Sequence, residues 1–288
     1  MEPCVFIFDV NANFNRVWSI QTKEGIPTNP FAYHNGEPVF CLKPLMRNVQ
    51  NEIRALGSMN VVNTHIVMVF DTLGKNFRHD LYPDYKGNRD PKCQEKSRQE
   101  ELIYDMFLAL GYPCLRIDDV EADDVIATLA TKLSANNISS YLFTGDKDIM
   151  SLCNHNTFVY AGVQKKLYSE REVRMRFNLP PSRVIDLLAM MGDKADNLAG
   201  AKGVGEKSAV KMLSRFSLDE ILANPDIIAD LDIRGVKGMI QTIKEDRANI
   251  DLMRKLVTLK TDVPLGINLK DLVCKPSDPS VFLNGFLS

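Results

Sequence analysis

The stretch Val5-Phe-Ile-Phe-Asp9 ends a short, wholly apolar run on an aspartate, and the pattern recurs twice further on. Ile66-Val-Met-Val-Phe70 is followed by Asp71, and Tyr141-Leu-Phe143 by Thr-Gly-Asp146. Each run is rich in β-branched or aromatic residues and predicts a buried strand. Between the first two, Leu42, Leu45, Met46, Val49, Ile53 and Leu56 recur at the three/four spacing of an amphipathic helix. Further helices are predicted over 99–110 and 121–136, with a short strand around 113–117. Strands alternating with helices predict an α/β fold around a mainly parallel sheet covered on both faces.

In such a sheet the carboxyl ends of the strands share one edge, where ligands bind. A single aspartate there serves equally well as a helix cap or a turn residue. Three arriving independently point to a site. Two acidic clusters and a later pair add to them. Asp118, Asp119, Glu121, Asp123 and Asp124 crowd the start of the predicted helix after the 113–117 strand, more than capping requires. Asp146 and Asp148 alternate along the chain, and Asp193 and Asp196 sit three apart. The candidate metal ligands are therefore Asp9, Asp71, Glu121, Asp123, Asp124, Asp146, Asp148, Asp193 and Asp196. An all-oxygen set without His or Cys selects Mg²⁺ or Mn²⁺ over zinc. So many carboxylates suit two ions roughly 4 Å apart, the arrangement that assists in-line phosphodiester displacement. No calcium-loop pattern of the D-x-[DN]-x-[DN]-G type is present.

Composition sets the bounds around this site. The chain has 288 residues, 45% hydrophobic and 25% charged, as in ordinary globular proteins. No apolar run is long enough for a membrane span, and the N-terminus lacks the basic and small-residue marks of a signal peptide. Six scattered cysteines without a C-x-x-C pair favour a reducing, cytoplasmic setting, with an organelle as the other compatible one. The net charge of −2 hides a basic remainder if the acidic residues are held by metal ions.

Part of that remainder lies in the long connection over residues 72–100, TLGKNFRHDLYPDYKGNRDPKCQEKSRQE. Lys75, Arg78, Lys86, Arg89, Lys92, Lys96 and Arg98 alternate there with Phe77, Tyr82 and Tyr85. By composition this is a solvated surface loop. Its position beside Asp71 turns it into a candidate for single-stranded nucleic acid, with phosphates on the cations and bases on the rings.

Beyond residue 170 the pattern becomes helical, over 170–177, 182–191, 205–215 and 236–257, with Gly- and Pro-containing turns. Within it lies Gly200-Ala-Lys-Gly-Val-Gly-Glu-Lys-Ser208, one residue away from a nucleotide-binding P-loop. No strand precedes it, so an ATP site is a poor fit. Gly203 and Gly205 instead suit a tight turn that lets backbone approach a phosphate at a helix start. Lys207, Lys211 and Arg215 then line one face of that helix. The plain alternative is a helix-start turn with a solvated basic stripe.

Five motifs taken in order, FDVNANFNR (8–16), VFDTLGKNFRHDLYPDYKGNR (69–89), VEADDVIATLA (120–130), TGDKDIMSL (144–152) and IDLLAMMGDKADNLAGAKGVGEKSA (185–209), resemble those of the 5′-nuclease family. This is the family of 5′→3′ exonucleases and flap endonucleases, and the likeness is greatest to the N-terminal nuclease domain of bacterial DNA polymerase I and to free-standing phage 5′-exonucleases. The resemblance implies a PIN-like catalytic domain over 1–180, with a helical arch at about 72–100. It also implies a helical helix–three-turn–helix domain over 181–264, followed by a tail over 265–288. It implies two Mg²⁺ ions, with Mn²⁺ able to substitute, and K⁺ as a further ion at the hairpin. Asp71, Glu121, Asp123 and Asp124, with Asp9 nearby, resemble a first metal group; Asp146, Asp148, Asp193 and Asp196 resemble a second, with sharing between the two expected.

The same resemblance gives Lys86 and Arg89 the scissile phosphate, beside the catalytic Asp71 and Asp146. Lys75, Arg78, Tyr82, Tyr85, Lys86 and Arg89 would meet the single strand. Lys202, Gly203, Gly205, Lys207, Ser208 and Lys211 would meet the duplex. The implied partner is DNA with a 5′ single-strand/duplex junction, or an RNA–DNA hybrid. The implied state is a monomer away from membranes, coupled to a polymerase only in trans. Two departures stand out: Asp9-Val10 replaces the usual Asp-Gly, and the chain stops where polymerase I would continue. An RNA-cleaving PIN-type nuclease and an inactive nucleic-acid-binding scaffold are the competing classes. Retention of every acidic residue opposes the scaffold, because without metal the carboxylates repel one another and DNA.

Overall fold

A computed structural model describes residues 4–28, 33–61 and 65–274. Its centre is a six-stranded sheet: β1 (Cys4–Asp9), β2 (His65–Phe70), β3 (Cys114–Arg116), β4 (Ser139–Phe143), β5 (Thr157–Ala161) and β6 (Lys166–Tyr168). The order across the sheet is β6-β5-β4-β1-β2-β3, with only β6 antiparallel to its neighbour. The order therefore reverses between β1 and β4, a topological switch point where a crevice opens beyond the strand ends. Register aligns those ends: Phe8 pairs with Phe143 and Asp9 with Val69. Asp9, Asp71 and the Thr144–Asp146 turn consequently emerge side by side.

Alternation along the strands builds two unlike faces. Phe6, Phe8, Met68, Phe70, Phe143 and Tyr160 point to one, against Phe14, Trp18, Leu45, Val49, Ile103 and Phe107. Those partners come from α1 (Val10–Gln21), α2 (Leu42–Gly57) and α4 (Gln94–Ala109). Phe8 and Phe143 stack at 4.0 Å between ring centres, which pins the two strands flanking the switch point. Val5, Ile7, Val67, Val69, Leu142 and Val159 point the other way, onto Val125, Ile126 and Leu129 of α5 (Ala122–Ala135). Each such side chain contributes about 1.5–3 kcal/mol by leaving water.

The second face does not stop at α5. The same apolar cluster runs on into α6 (Glu170–Phe177), α7 (Val184–Met191), α8 (Glu206–Leu213), α9 (Leu218–Ala223), α10 (Val236–Glu245) and α11 (Arg247–Val257). The C-terminal helices are thus seated on the sheet domain by a shared core. Leu265 and Leu272, in the stretch expected as a tail, are buried in it as well. The tail's residues 275–288 lie outside the described residues.

Several elements differ from expectation. α1 follows Asp9 directly; its Phe14, Val17 and Trp18 are diluted by asparagines and leave a weak apolar stripe. The helix expected over 236–257 is two, separated at Asp246. α4 begins at Gln94, and β5, β6 and α9 fall in segments read as connections. Residues 72–93 carry one short helix, α3 (Phe77–Leu81), which Asn76 caps by accepting from the Arg78 amide at 3.0 Å. None of the helices among the described residues is long and apolar enough to cross a membrane.

Candidate active site

Asp9 ends β1 and starts α1. Its Oδ1 accepts from the Ala12 amide and its Oδ2 from the Thr144 hydroxyl, both at 2.9 Å. The side chain is 3% exposed. Oxygens of Asp9, Asp123 and Asp146 all lie within 4.8 Å of one another. Burial first, and then the Asp146 and Asp71 charges, push the Asp9 carboxyl up to about 7. Asp123 is raised well above the carboxylate range by burial and then by Asp146 and Asp9. Three carboxylates that resist ionising together in an all-oxygen set fit a hard divalent cation, which would remove the repulsion.

Asp146 joins this trio to the rest. Burial raises Asp148 to about 7, followed by Asp146, Asp196 and Asp193 as causes. Asp193 and Asp196 hang from a hairpin pairing Gly192–Asp193 with Leu198–Ala199. Asp146, expected in the second metal group, sits with Asp9 and Asp123 of the first. Asp71 stands beside Asp9, receiving the Ala122 amide at 2.9 Å on Oδ1.

Glu121 belongs to the same edge but is occupied by cations and hydroxyls. It accepts from Lys86 Nζ at 2.6 Å, Asn76 Nδ2 at 3.0 Å and the Tyr85 hydroxyl at 3.0 Å. Burial would raise its pKa, but Lys86 and Arg78 hold it below the ordinary value. Arg89 pairs with Asp196 at 2.6 Å, and Lys147 lies 3.7 Å from Asp193. Lys86 takes a left-handed backbone (φ 55°), and its amide donates to the Asp196 carbonyl, so this segment crosses directly over the acidic edge.

Three expectations need correction. Asp124, expected as a metal ligand, is 0% exposed. Its two oxygens accept from Arg78 at 2.6 and 2.9 Å and also from the Lys260 and Glu121 amides. With both oxygens turned into the protein, it caps and braces α5. Arg78, expected to meet DNA, is 1% exposed, and its guanidinium is consumed by that pair and by the carbonyls of Leu256 and Thr258. Tyr85 is 4% exposed; its ring packs in the core and its hydroxyl faces Glu121 and Asp196, so it offers no face to a base. Lys75 and Arg89 are exposed, and Tyr82 and Lys86 half-buried.

The duplex-side residues lie on the surface: Lys202, Gly203, Gly205, Lys207 and Lys211 are exposed and Ser208 half-buried. Buried Ala201 and Val204 anchor the turn between them. Gly203 has φ 82° and needs glycine, whereas Gly205 has an ordinary φ of −97°. Gly205 precedes α8 without any side-chain cap, so no cap side chain accepts from the first amides of that helix. Lys211 instead donates to the Asp232 carbonyl.

Some contributors escape a reading of the sequence. Asn11 Oδ1 accepts the Asp71 amide at 2.9 Å, and Asn13 Nδ2 donates to the Asp9 and Phe143 carbonyls, stitching β1 to β4. Gly192 and Gly200 cross so closely that a Cβ on Gly200 would lie 2.2 Å from the Met191 carbonyl carbon. All of them lie within or beside the quoted motifs, but nothing in their type announces a supporting role.

Residues 5–178 match the model of the 5′-3′ exonuclease N-terminal resolvase-like domain, and 179–280 that of the 5′-3′ exonuclease C-terminal SAM fold. DNA polymerase I of Pseudomonas aeruginosa is 38% identical over 253 residues, covering 87% of this chain and 27% of that protein. The chain thus spans about a quarter of the length of the polymerase I relatives it matches. Flap endonuclease Xni of Colwellia psychrerythraea is 30% identical over 279 residues, covering 94% of this chain and 92% of its own length. The fold is shared with the bacteriophage T5 D15 flap endonuclease, solved as a pseudo-enzyme-product complex with DNA and metal ions. Its TM-score is 0.65 at 23% identity, covering 90% of each chain. With both halves of the sequence matched and the acidic edge assembled at the switch point, the chain belongs to the 5′-3′ exonuclease family.

Proposed function

We propose that the protein is a divalent-metal-dependent, structure-specific 5′-nuclease that hydrolyses DNA at 5′ ends, flaps and junctions. The observation that carries this reading is the Asp9, Asp123 and Asp146 oxygens, within 4.8 Å of one another, at the crevice between β1 and β4. Mg²⁺, with Mn²⁺ as substitute, is the ion this oxygen set favours; a bound pair would supply Lewis acidity and an activated water at the phosphate.

The chain's own residues do the rest. Asp9, Asp123 and Asp146, with Asp71, Asp148, Asp193 and Asp196 around them, would hold the ions. Lys86 and Arg89, paired with Glu121 and Asp196, would turn to the scissile phosphate and offset charge developing on its oxygens. The uncapped first amides of α8, with Lys202 and Lys207, would hold a phosphate of the duplex strand. A K⁺ ion at that turn, a monomeric state, a cytoplasmic setting and a polymerase acting in trans belong to the same reading.

The test is incubation with 5′-flap DNA, blunt duplex and single-stranded RNA, in Mg²⁺ or EDTA, with products mapped. Cleavage of the flap in Mg²⁺ but not EDTA is expected. An intact flap in Mg²⁺ would sink the proposal, and preferential RNA cleavage would move the protein to the RNA-cleaving class.

A further inference from the structure

Arg78 joins three parts of the chain that have different tasks. It lies on α3, at the start of the segment that carries Lys86 and Arg89. Its Nε donates to the Leu256 carbonyl at 2.7 Å, at the end of α11. Its Nη1 donates to Asp124 Oδ2 at 2.6 Å and lies 3.4 Å from Glu121 Oε2. Its Nη2 donates to Asp124 Oδ1 at 2.9 Å and to the Thr258 carbonyl at 3.3 Å. A guanidinium has five N–H groups in a rigid fork; four hydrogen bonds leave it here, and Glu121 adds an ion pair. Asp124 closes the knot by accepting the Lys260 amide at 2.9 Å, and Lys260 Nζ sits 3.7 Å above the Phe77 ring.

We infer that Arg78 is a positioning residue: it fixes the Lys86 segment to the acidic edge and to the C-terminal helices at once. The inference rests on the nuclease reading above and deepens it. The duplex-side turn before α8 and the end of α11 belong to one packed unit, through Leu256, Met253 and α7. Lys86 lies eight residues beyond Arg78 and reaches Glu121, three residues before Asp124. A DNA held by the C-terminal helices is thereby set in register with the lysine and carboxylates that act on it. Displacing such groups by about 1 Å costs on the order of 100-fold in rate. Duplex affinity, which depends on the surface turn, has no such dependence on Arg78.

Arg78→Lys keeps the charge but replaces the fork by one nitrogen, which cannot reach Asp124, Leu256 and Thr258 together. On 5′-flap DNA, single-turnover cleavage at saturating enzyme should fall about 100-fold, at the scale of such a displacement. Flap affinity measured in EDTA should stay within a few-fold of the parent, and the cut should spread to neighbouring bonds. An unchanged rate and cut site would overturn the inference, and so would a loss wholly in affinity. If Arg78→Lys does not fold, Asp124→Asn, isosteric and still an acceptor, is measured for the same three quantities. The slower, less accurate cut is expected of it too, and parental rate and cut site in that variant overturn the inference equally. The parent protein on the same flap separates the two ideas: a parent that does not cut refutes the nuclease reading, whereas a variant that cuts like it refutes the role of Arg78.

Discussion

The Thr144 hydroxyl donates to Asp9 Oδ2 at 2.9 Å, bridging β4 to β1 across the switch point. The Thr144 hydroxyl oxygen in turn accepts the Asp146 amide at 3.3 Å, so one buried threonine orients two of the three clustered carboxylates. Outer partners of metal ligands typically control affinity by about 10–100-fold. Thr144→Val should therefore shift the Mg²⁺ midpoint for cleavage upward by about 10-fold, and Thr144→Ser should restore most of it. Mg²⁺ titrations followed both by cleavage and by thermal stabilisation would check this. Coincident curves for parent and valine variant would deny the bridge a role.

The acidic edge makes the metal-free protein sensitive to pH. Asp9 and Asp148 are both raised from 3.8 to about 7, by burial first and by neighbouring carboxylates second. A carboxyl raised on folding favours the native state while protonated, and that advantage is lost as pH rises through the folded value. In EDTA, the melting temperature should thus fall as the pH rises from about 4 to about 7 and level off above that. Bound Mg²⁺ removes the repulsion, so the stabilisation it confers should grow over the same interval. Thermal melts with and without Mg²⁺ at both pH values test the sign, and Asp148→Asn should flatten the EDTA slope.

How much of the fold and site is legible in the sequence depends on which interaction fixes each part. The strands around Ile7, Val67 and Leu142 declare themselves because parallel strands buried on both faces must be continuously apolar. The aspartates after them follow from chain direction alone. The fate of Arg78 and Asp124 cannot be read this way. Both look like surface charges in sequence, and only the approach of Leu256 and Thr258, about 180 residues away, supplies the acceptors that let a guanidinium be buried. Tyr85 misleads for the same reason: an aromatic beside lysines looks like a stacking platform until its hydroxyl finds Glu121 and Asp196. α1 is hidden because Asn11 and Asn13, poor helix formers, are kept there to hold Asp71, Asp9 and Phe143.

The two glycine types should respond in opposite ways. A Cβ on Gly200 would meet Met191 and Gly192 backbone at 2.2–2.4 Å, and backbone cannot give way cheaply. Gly200→Ala should cost about 1–3 kcal/mol in urea unfolding and disturb the hairpin carrying Asp193 and Asp196. Gly205 has open space around its missing Cβ and an ordinary backbone. Gly205→Ala should leave stability within about 0.5 kcal/mol while weakening duplex binding several-fold, because the added methyl stands where backbone would meet a phosphate. Unchanged duplex affinity in Gly205→Ala would detach that turn from DNA.

Lys86 and Asp146 should separate chemistry from binding. Lys86 Nζ rests 2.6 Å from Glu121, half-buried, at the edge where the phosphate would arrive. Burial would lower its pKa, but Glu121 and then Asp196 raise it, so the ammonium is kept charged in the position from which it acts. A charge aimed at oxygens that become more negative in the transition state contributes chiefly there. Lys86→Ala should accordingly slow single-turnover cleavage by about 10²–10³ with flap affinity within a few-fold, and a pure affinity loss would contradict its catalytic part. Asp146→Asn removes one of the three clustered oxygens' charges while relieving repulsion on Asp9 and Asp148. Cleavage should be abolished, flap binding should remain measurable, and the EDTA-state melting temperature should rise. A variant that still cuts at the parent rate would remove Asp146 from the metal set and leave its neighbours to be reassigned.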